Sequence, residues 1–240
     1  MEWDTACALC AMDAPNRVKR HWVACGENPP FTLKARGFSD LLRSRGIGIL
    51  VIGEKKYPPL LSELPDPPCF LLYRGSMPSL PLVTVAGPLF GNARTRREEE
   101  HLAHLLVGQG CALVCGVVSR SDRRLLDAVL SLGGSGVAVT ADILRPFSCR
   151  RNLAVLSPFF PGEDRSWHST LSLWNVLVGL SRMTILLQPP SGGVLSRLAS
   201  EALDVGRDVF LFTVDGTILE GGIRLVDEGC PVFPHPLKVW

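Results

Sequence analysis

An excess of charge is the first thing this sequence lacks. Its 240 residues carry 25 Lys and Arg against 23 Asp and Glu, a net charge of +2. A dedicated non-specific nucleic-acid binder carries a clear basic stripe, and none runs through this chain. Long apolar runs are missing too. No stretch reaches the ~18 residues of a membrane span. Glu2 and Asp4 at the start leave no basic flank ahead of an apolar stretch, so the reading includes neither a leader nor a membrane. The G-x-G-x-x-G fingerprint, the Gly-Lys-Ser/Thr phosphate loop and the G-x-S-x-G elbow are all absent. No carboxylate motif completes a metal or hydrolase pattern around a histidine. The expectation is therefore a cytoplasmic binding protein without a cofactor, and not an enzyme.

The cysteines add little. Eight are scattered along the chain, and Cys111, Cys115 and Cys230 sit in apolar runs, which suits reduced thiols. Cys7, Cys10, His21 and Cys25 fit a C-x2-C-x10-H-x3-C spacing that four tetrahedral zinc ligands would have. Cys7 and Cys10, however, fall in an apolar helical stretch where cysteine is a normal small core residue, and no metal is assigned. The mean hydropathy of +0.21 suits a sheet buried on both faces. It also leaves less polar surface than usual, which a partner interface would explain.

Three segments follow from the punctuation. Residues 1–46 predict a small helical domain, with helices at 6–12 and 16–25 and shorter pieces at 31–36 and 38–44, broken by Pro15, Pro29-Pro30 and several glycines. Residues 47–81 form a proline-rich lead-in with short strands at 49–52 and 69–73. The prolines between those strands exclude regular helix and central strand there. Residues 82–240 alternate short apolar strands (82–86, 112–115, 136–140, 153–156, 183–187, 209–213) with helices (96–107, 122–132, 168–180, 196–205, 221–228). Such alternation means right-handed crossovers and a mostly parallel sheet, hence an α/β fold of the Rossmann type. Ser121 is the expected N-cap of the helix over 122–132.

The candidate chemistry lies at strand exits. Gly87 to Asn92 follows the strand over 82–86, where an open α/β sheet accepts ligands. A glycine there admits a phosphate to helix N–H groups, although Pro88 removes one donor. A tight turn with no ligand explains it equally. Cys115 to Asp122 leaves the next strand, and Ser119, Arg120 and Ser121 offer hydroxyl donors and a fixed cation. Helix capping and a solvated arginine are the bland alternative, with Asp122 as cap. Pro190-Ser191-Gly192-Gly193 resembles an anion nest, or is merely a glycine-rich loop. Two cationic groups stand out, Arg94, Arg96 and Arg97, then Arg145, Arg150 and Arg151; the first runs straight into Glu98, Glu99 and Glu100. His101 is read as facing solvent among Glu99 and Glu100. Trp167, Trp174, Phe159 and Phe160 offer faces on which bases stack, with core packing or a subunit contact as the alternative.

On these residues the chain resembles the DNA-processing protein A family, also called Smf. Tyr57-Pro58-Pro59-Leu60-Leu61, Asp66-Pro67-Pro68 and Leu72-Tyr73-Arg74-Gly75 match the family's lead-in. Cys115-Gly116 with Asp122, Gly179-Leu180-Ser181-Arg182, Ser191-Gly192, the run from Ala202 to Phe210 and the tail from Gly222 to Cys230 match further on. The resemblance implies an extended Rossmann domain after a small SAM-like helical domain, single-stranded DNA binding at the strand ends, a homodimer, and handover of DNA to the recombinase RecA during transformation or repair. The family's frequent C-terminal winged-helix domain is not expected here.

Departures fall on the binding chemistry. Gly87-Pro88-Leu89 stands where the family has Gly-Ser/Thr-Arg. Arg120 is displaced by one position from the family's arginine, and the glycine after it is replaced. The stretch around 171–175 lacks both arginines of Phe-Pro-x-Arg-Asn-Arg. Leu126 replaces a histidine, and two extra residues near Leu195 disturb Ser-Gly-x-Leu-x-Thr-Ala. Each lost arginine removes charge-assisted bonds and counterion release. The leading expectation is a non-enzymatic single-stranded-DNA binder using Gly87, Gly91, Arg94, Arg96, Arg97, Gly116, Ser119, Arg120, Asp122, Ser191 and Gly192. The rivals are an interaction protein that keeps dimer or recombinase contacts without DNA, and a Rossmann-like enzyme acting on a nucleotide or sugar phosphate.

Overall fold

The structure, a computed structural model, describes residues 1–233 except 13, 27–28, 30–31, 89–90, 146, 148–150, 162–166 and 191–192, with backbone alone at 33, 167–172 and 233. Nine strands form one sheet: β1 (Gly48–Val51), β2 (Phe70–Arg74), β3 (Leu82–Ala86), β4 (Ala112–Gly116), β5 (Gly136–Val139), β6 (Leu153–Ser157), β7 (Met183–Leu187), β8 (Asp208–Phe212) and β9 (Val232–Phe233). Their order is β1-β2-β6-β5-β4-β3-β7-β8-β9. The strands from β3 onward run parallel to one another, and β2 pairs antiparallel with the edge strand β6 while β1 pairs antiparallel with β2. The proline-rich lead-in thus donates two strands to the same sheet.

The apolar strands bury side chains on both faces. Val83 and Val85, Leu113 and Cys115, Leu153 and Val155, and Ile185 and Leu187 point into one core. Ala86, Val114, Val137, Val139, Leu156 and Leu186 point into the other. This is period-two alternation with no wet side, which explains why the strands read as continuous hydrophobic runs.

Helices cover each face. The first core takes α1 (Trp3–Ala11), α3 (Leu33–Ser44), α5 (Ala93–Gly108) and α6 (Arg120–Ser131). The second takes α4 (Pro59–Ser62), α7 (Trp167–Leu180), α8 (Val194–Asp204) and α9 (Glu220–Asp227). The remaining helix, α2 (Asn16–Cys25), closes with Gly26 in the left-handed region at φ 67°. No helix among the described residues is long and apolar enough to cross a membrane.

Three expectations change. The region expected as two pieces around Gly37 is one helix, α3, capped by Thr32, whose hydroxyl accepts from the Ala35 amide at 3.2 Å. Gly37 faces open space, and its weak propensity, about 1 kcal/mol against Ala, is offset by burial of Ala35, Phe38 and Leu42. Proline does not exclude helix in the lead-in. Pro58 is the N-cap of α4 and Pro59 occupies its first turn, where a missing N–H leaves no bond unmade. Third, β9 was not expected at all; its two residues are too few to show a pattern.

The family-like stretches mostly hold these layers together. The buried Tyr57 hydroxyl donates to the Pro68 carbonyl at 2.6 Å. Arg207 Nη2 donates to the Leu60 carbonyl at 2.9 Å and pairs with Glu63 at 3.2 Å. The Ser181 hydroxyl accepts from the Thr84 amide at 3.2 Å, fastening the start of β7 to β3. Gly179 lets α4 press on α7: a Cβ there would stand 2.4 Å from Leu61 Cδ1.

Candidate nucleic-acid interface

In this strand order the chain steps outward from β3 through β4 and β5 to β6, then returns beside β3 as β7 and steps the other way. The carboxyl ends of β3 and β7 therefore flank the topological switch point, where open α/β sheets take ligands. Gly87 leaves β3 there. A Cβ on it would stand 2.8 Å from Ser121 Oγ, so the glycine is needed for contact with α6. Gln188 leaves β7 at φ 41°, the one non-glycine residue with positive φ among the described residues.

Two helices begin on this rim with satisfied caps. The Asn92 carboxamide accepts from the Thr95 amide at 3.0 Å, and Thr95 Oγ1 accepts from the Asn92 amide at 3.3 Å. On α6 the Ser119 hydroxyl accepts from the Asp122 amide at 3.0 Å, while Asp122 Oδ2 accepts from the amides of Ser119 and Val118 at 2.9 and 3.2 Å. These are reciprocal capping boxes. The N-cap of α6 is thus Ser119, not Ser121. Ser121 lies one position inside the helix and is buried, and its hydroxyl donates to Glu99.

His101 and Glu100 face solvent as expected, but the two acids before them do not. Glu98 and Glu99 are 1% and 2% exposed. Arg124 pairs with Glu99 through two bonds at 2.8 and 2.9 Å. Glu98 accepts from the Gln188 carboxamide and lies 3.6 Å from Arg94 Nε. Arg94 also pairs with Asp215 and donates to the Thr217 carbonyl at 3.1 Å. Burial pushes the Glu98 carboxyl above its usual range, against the pull of Gln188 and Arg94. Burial likewise raises Asp122, although its two amide donors oppose this. Asp215 moves the other way, held down first by the Thr217 amide and then by Arg94. The centre of the rim is thus electrically closed, with Arg94 and Arg124 committed to the protein's own carboxylates.

The free cations lie just outside. Arg96 and Arg97 on the first turns of α5, and Arg120 and Arg123 on the first turn of α6, are exposed. None has an ion pair among the described residues. The sequence-derived candidates therefore separate. Arg96, Arg97 and Arg120 stay available on the rim. Arg94, Ser119 and Asp122 are engaged internally. Gly87, Gly91 and Gly116 make room for neighbouring side chains: Ser121, Arg124 and Leu177 respectively. Ser191 and Gly192 lie outside the described residues, as does Arg150. Arg145 sits beside Asp142 at 3.6 Å.

Sequence reasoning missed Arg123, Gln188, Arg124, Asp215 and Thr217. The Arg94–Glu98 spacing of four was a readable helical pair. The Arg124–Glu99 pair spans 25 positions and leaves no local signal. Among the aromatics, Trp174 is buried in the second core. Phe160 stacks on Phe38 with ring centres 4.3 Å apart, and the side chain of Trp167 lies outside the described residues. Cys7 and Cys10 are buried on the inner side of α1 itself, while Cys25 is exposed and lies 3.6 Å from the nearer His21 ring nitrogen. No group of three potential metal ligands exists among the described residues.

Fold and rim together define an open Rossmann-like α/β protein with a cationic, helix-capped ligand edge. The family description DNA recombination-mediator protein A matches residues 48–236, and the chain belongs to that family. It is 27% identical to DNA processing protein DprA of Bacillus subtilis (strain 168) over 207 residues, covering 78% of this chain and 68% of that one. It is 28% identical to DprA of Streptococcus pneumoniae (strain ATCC BAA-255 / R6) over 188 residues, covering 72% and 64%. It also spans 49% of protein Smf of Synechocystis sp. (strain ATCC 27184 / PCC 6803 / Kazusa), at 26% identity and 74% of this chain. The solved structure of the Streptococcus pneumoniae protein superposes with a TM-score of 0.77 over 97% of this chain and 95% of its own, at 21% identity. DNA processing protein A of Helicobacter pylori, for which a single-stranded DNA binding mode is described, gives 0.66 at 16% identity over 78% and 90%.

Proposed function

We propose that this protein binds single-stranded DNA along the carboxyl rim of its sheet and serves DNA processing as a binding protein, not a catalyst. The observation that carries the reading is the set of exposed, unpaired guanidiniums of Arg96, Arg97, Arg120 and Arg123 at the starts of two helices beside the switch point. Fixed cations with helix dipoles behind them are what a phosphate backbone meets. Family membership adds the setting: cytoplasmic recombination or transformation, a homodimer, and handover of the strand to the recombinase RecA. Because Arg94 and Arg124 are neutralised, fewer cations are left for phosphates, so the affinity is modest and its salt dependence shallow. The test is an anisotropy titration of a labelled oligonucleotide from low to physiological salt. Binding that weakens with salt is expected; no binding at low salt overturns the reading.

The same neutralisation favours a second reading, a protein that keeps recombinase or dimer contacts without DNA. Capture of purified recombinase in the absence of oligonucleotide supports it. A monomer that captures none removes it.

A further inference from the structure

Where the helical segment meets the sheet, a cavity of about 200 Å³ opens beyond the carboxyl end of β6. Distant parts of the chain build it: Asn16 and Lys19 from α2, Pro68 from the lead-in, Pro158 and Phe159 after β6, and Asn175 from α7. It lies on the same rim as Arg120, several strands away from the switch point.

We propose that this cavity receives one unstacked nucleobase of a bound single strand, a role that rests on the DNA-binding reading above. Size argues first. Pockets for drug-sized ligands run to roughly 300–1,000 Å³, and this smaller one suits a single planar heterocycle. The chemistry of the walls argues second. Asn16 and Asn175 each offer donors and an acceptor, as the mixed edge of a base requires; a phosphate would call for donors alone. Phe159 and the two prolines supply apolar faces, and aromatic rings hold unstacked bases without regard to sequence. Charge argues third. Lys19 is 5% exposed, donates to the Cys10 carbonyl at 3.4 Å and stands over the Phe70 ring at 5.1 Å, which fixes a cation in the wall. Asp66, the one acid in the lining among the described residues, is paired with Arg20 at 2.6 Å, which offsets its charge. Of the adjacent phenylalanines, Phe160 is taken up by Phe38, while Phe159 packs against the second core and also lines the cavity.

The experiment compares an intact oligothymidylate with the same strand made wholly abasic, against wild type, N16A/N175A and F159A, with melting temperatures as the control for folding. Asn16 and Asn175 are partly exposed, so the double variant is expected to fold even if F159A does not. The expected result is roughly tenfold weaker binding of the intact strand by the double variant, with binding of the abasic strand unchanged. Equal intact-to-abasic ratios in wild type and N16A/N175A overturn the inference and leave the DNA-binding reading standing. A wild type that binds neither strand overturns both. Titration with free thymidine separates the sources: saturation that N16A/N175A abolishes, alongside equal affinity for intact and abasic strands, assigns the cavity to a free nucleoside and overturns the role for a strand.

Discussion

The guanidinium of Arg124 holds the Glu99 carboxylate with two bonds, Nε to Oε2 at 2.8 Å and Nη2 to Oε1 at 2.9 Å. A cation of α6 thereby closes on a carboxylate of α5 that solvent barely reaches. Removing one member of such a pair leaves an uncompensated buried charge. Arg124→Ala is expected to lower unfolding stability by about 3 kcal/mol, the low end of the range for buried pairs because the arginine is partly exposed. Urea denaturation at pH 7 checks this, and an unchanged midpoint would contradict it.

Gly179 gives a packing prediction. A Cβ at this position would lie 2.4 Å from Leu61 Cδ1 and 2.8 Å from Leu64 Cδ1. Gly179→Ala is expected to destabilise by roughly 1–3 kcal/mol through overpacking. The double variant with Leu61→Ala should be more stable than the two single effects predict, by about 1 kcal/mol. Strict additivity would show that α4 and α7 do not meet here.

Glu98 sets a pH dependence. Burial raises its pKa above the usual 4.5, so the folded state binds the proton more tightly than the unfolded chain. The stability this contributes is full below the usual value and is lost as pH rises through the folded pKa. Glu98→Gln removes the effect. The difference in stability, variant minus wild type, should therefore grow in the variant's favour as pH climbs from 4.5 towards neutrality. Asp215, whose pKa is lowered, has the opposite sign: its contribution is lost in acid, below its usual 3.8 and so below the Glu98 window. Urea midpoints for both proteins across this range check the slope, and parallel curves would contradict it.

Ser119 and Arg120 are neighbours with different tasks, and two variants separate them. Ser119→Ala loses the cap of α6 and should lower stability by about 1 kcal/mol without changing the salt dependence of oligonucleotide binding. Arg120→Ala should leave stability within about 0.5 kcal/mol and reduce the slope of log K against log salt by roughly 0.7. An Arg120→Ala protein with the wild-type slope would remove that arginine from the interface.

The elements of the sheet were legible because both faces are buried. Leu82–Ala86 and Met183–Leu187 stand as read from their apolar runs alone. Of the candidate site, Arg96, Arg97 and Arg120 were legible, since a loop between strand and helix has to lie at the carboxyl edge, while Arg123 was not singled out and Arg94 is engaged internally. The commitments of the side chains were not. Ser121 looked like a cap because it directly precedes the helix expected over 122–132, whereas α6 begins at Arg120. The cap is Ser119 because the reciprocal bonds with Asp122 need a spacing of three, and Ser121 was then left to face Glu99.

Local chemistry alone therefore determined eight of the nine described strands, most of the helices and the mostly parallel sheet. Periodicity and turn residues act over a few positions and need no partner. Only the tertiary structure decided which charges on that edge remain free. Ion pairing depends on distances between groups remote in sequence, and burial raises the pKa of Glu98. Packing likewise placed Phe159 beside Asn16 and Asn175 across three layers of the molecule, a meeting that no spacing along the chain encodes.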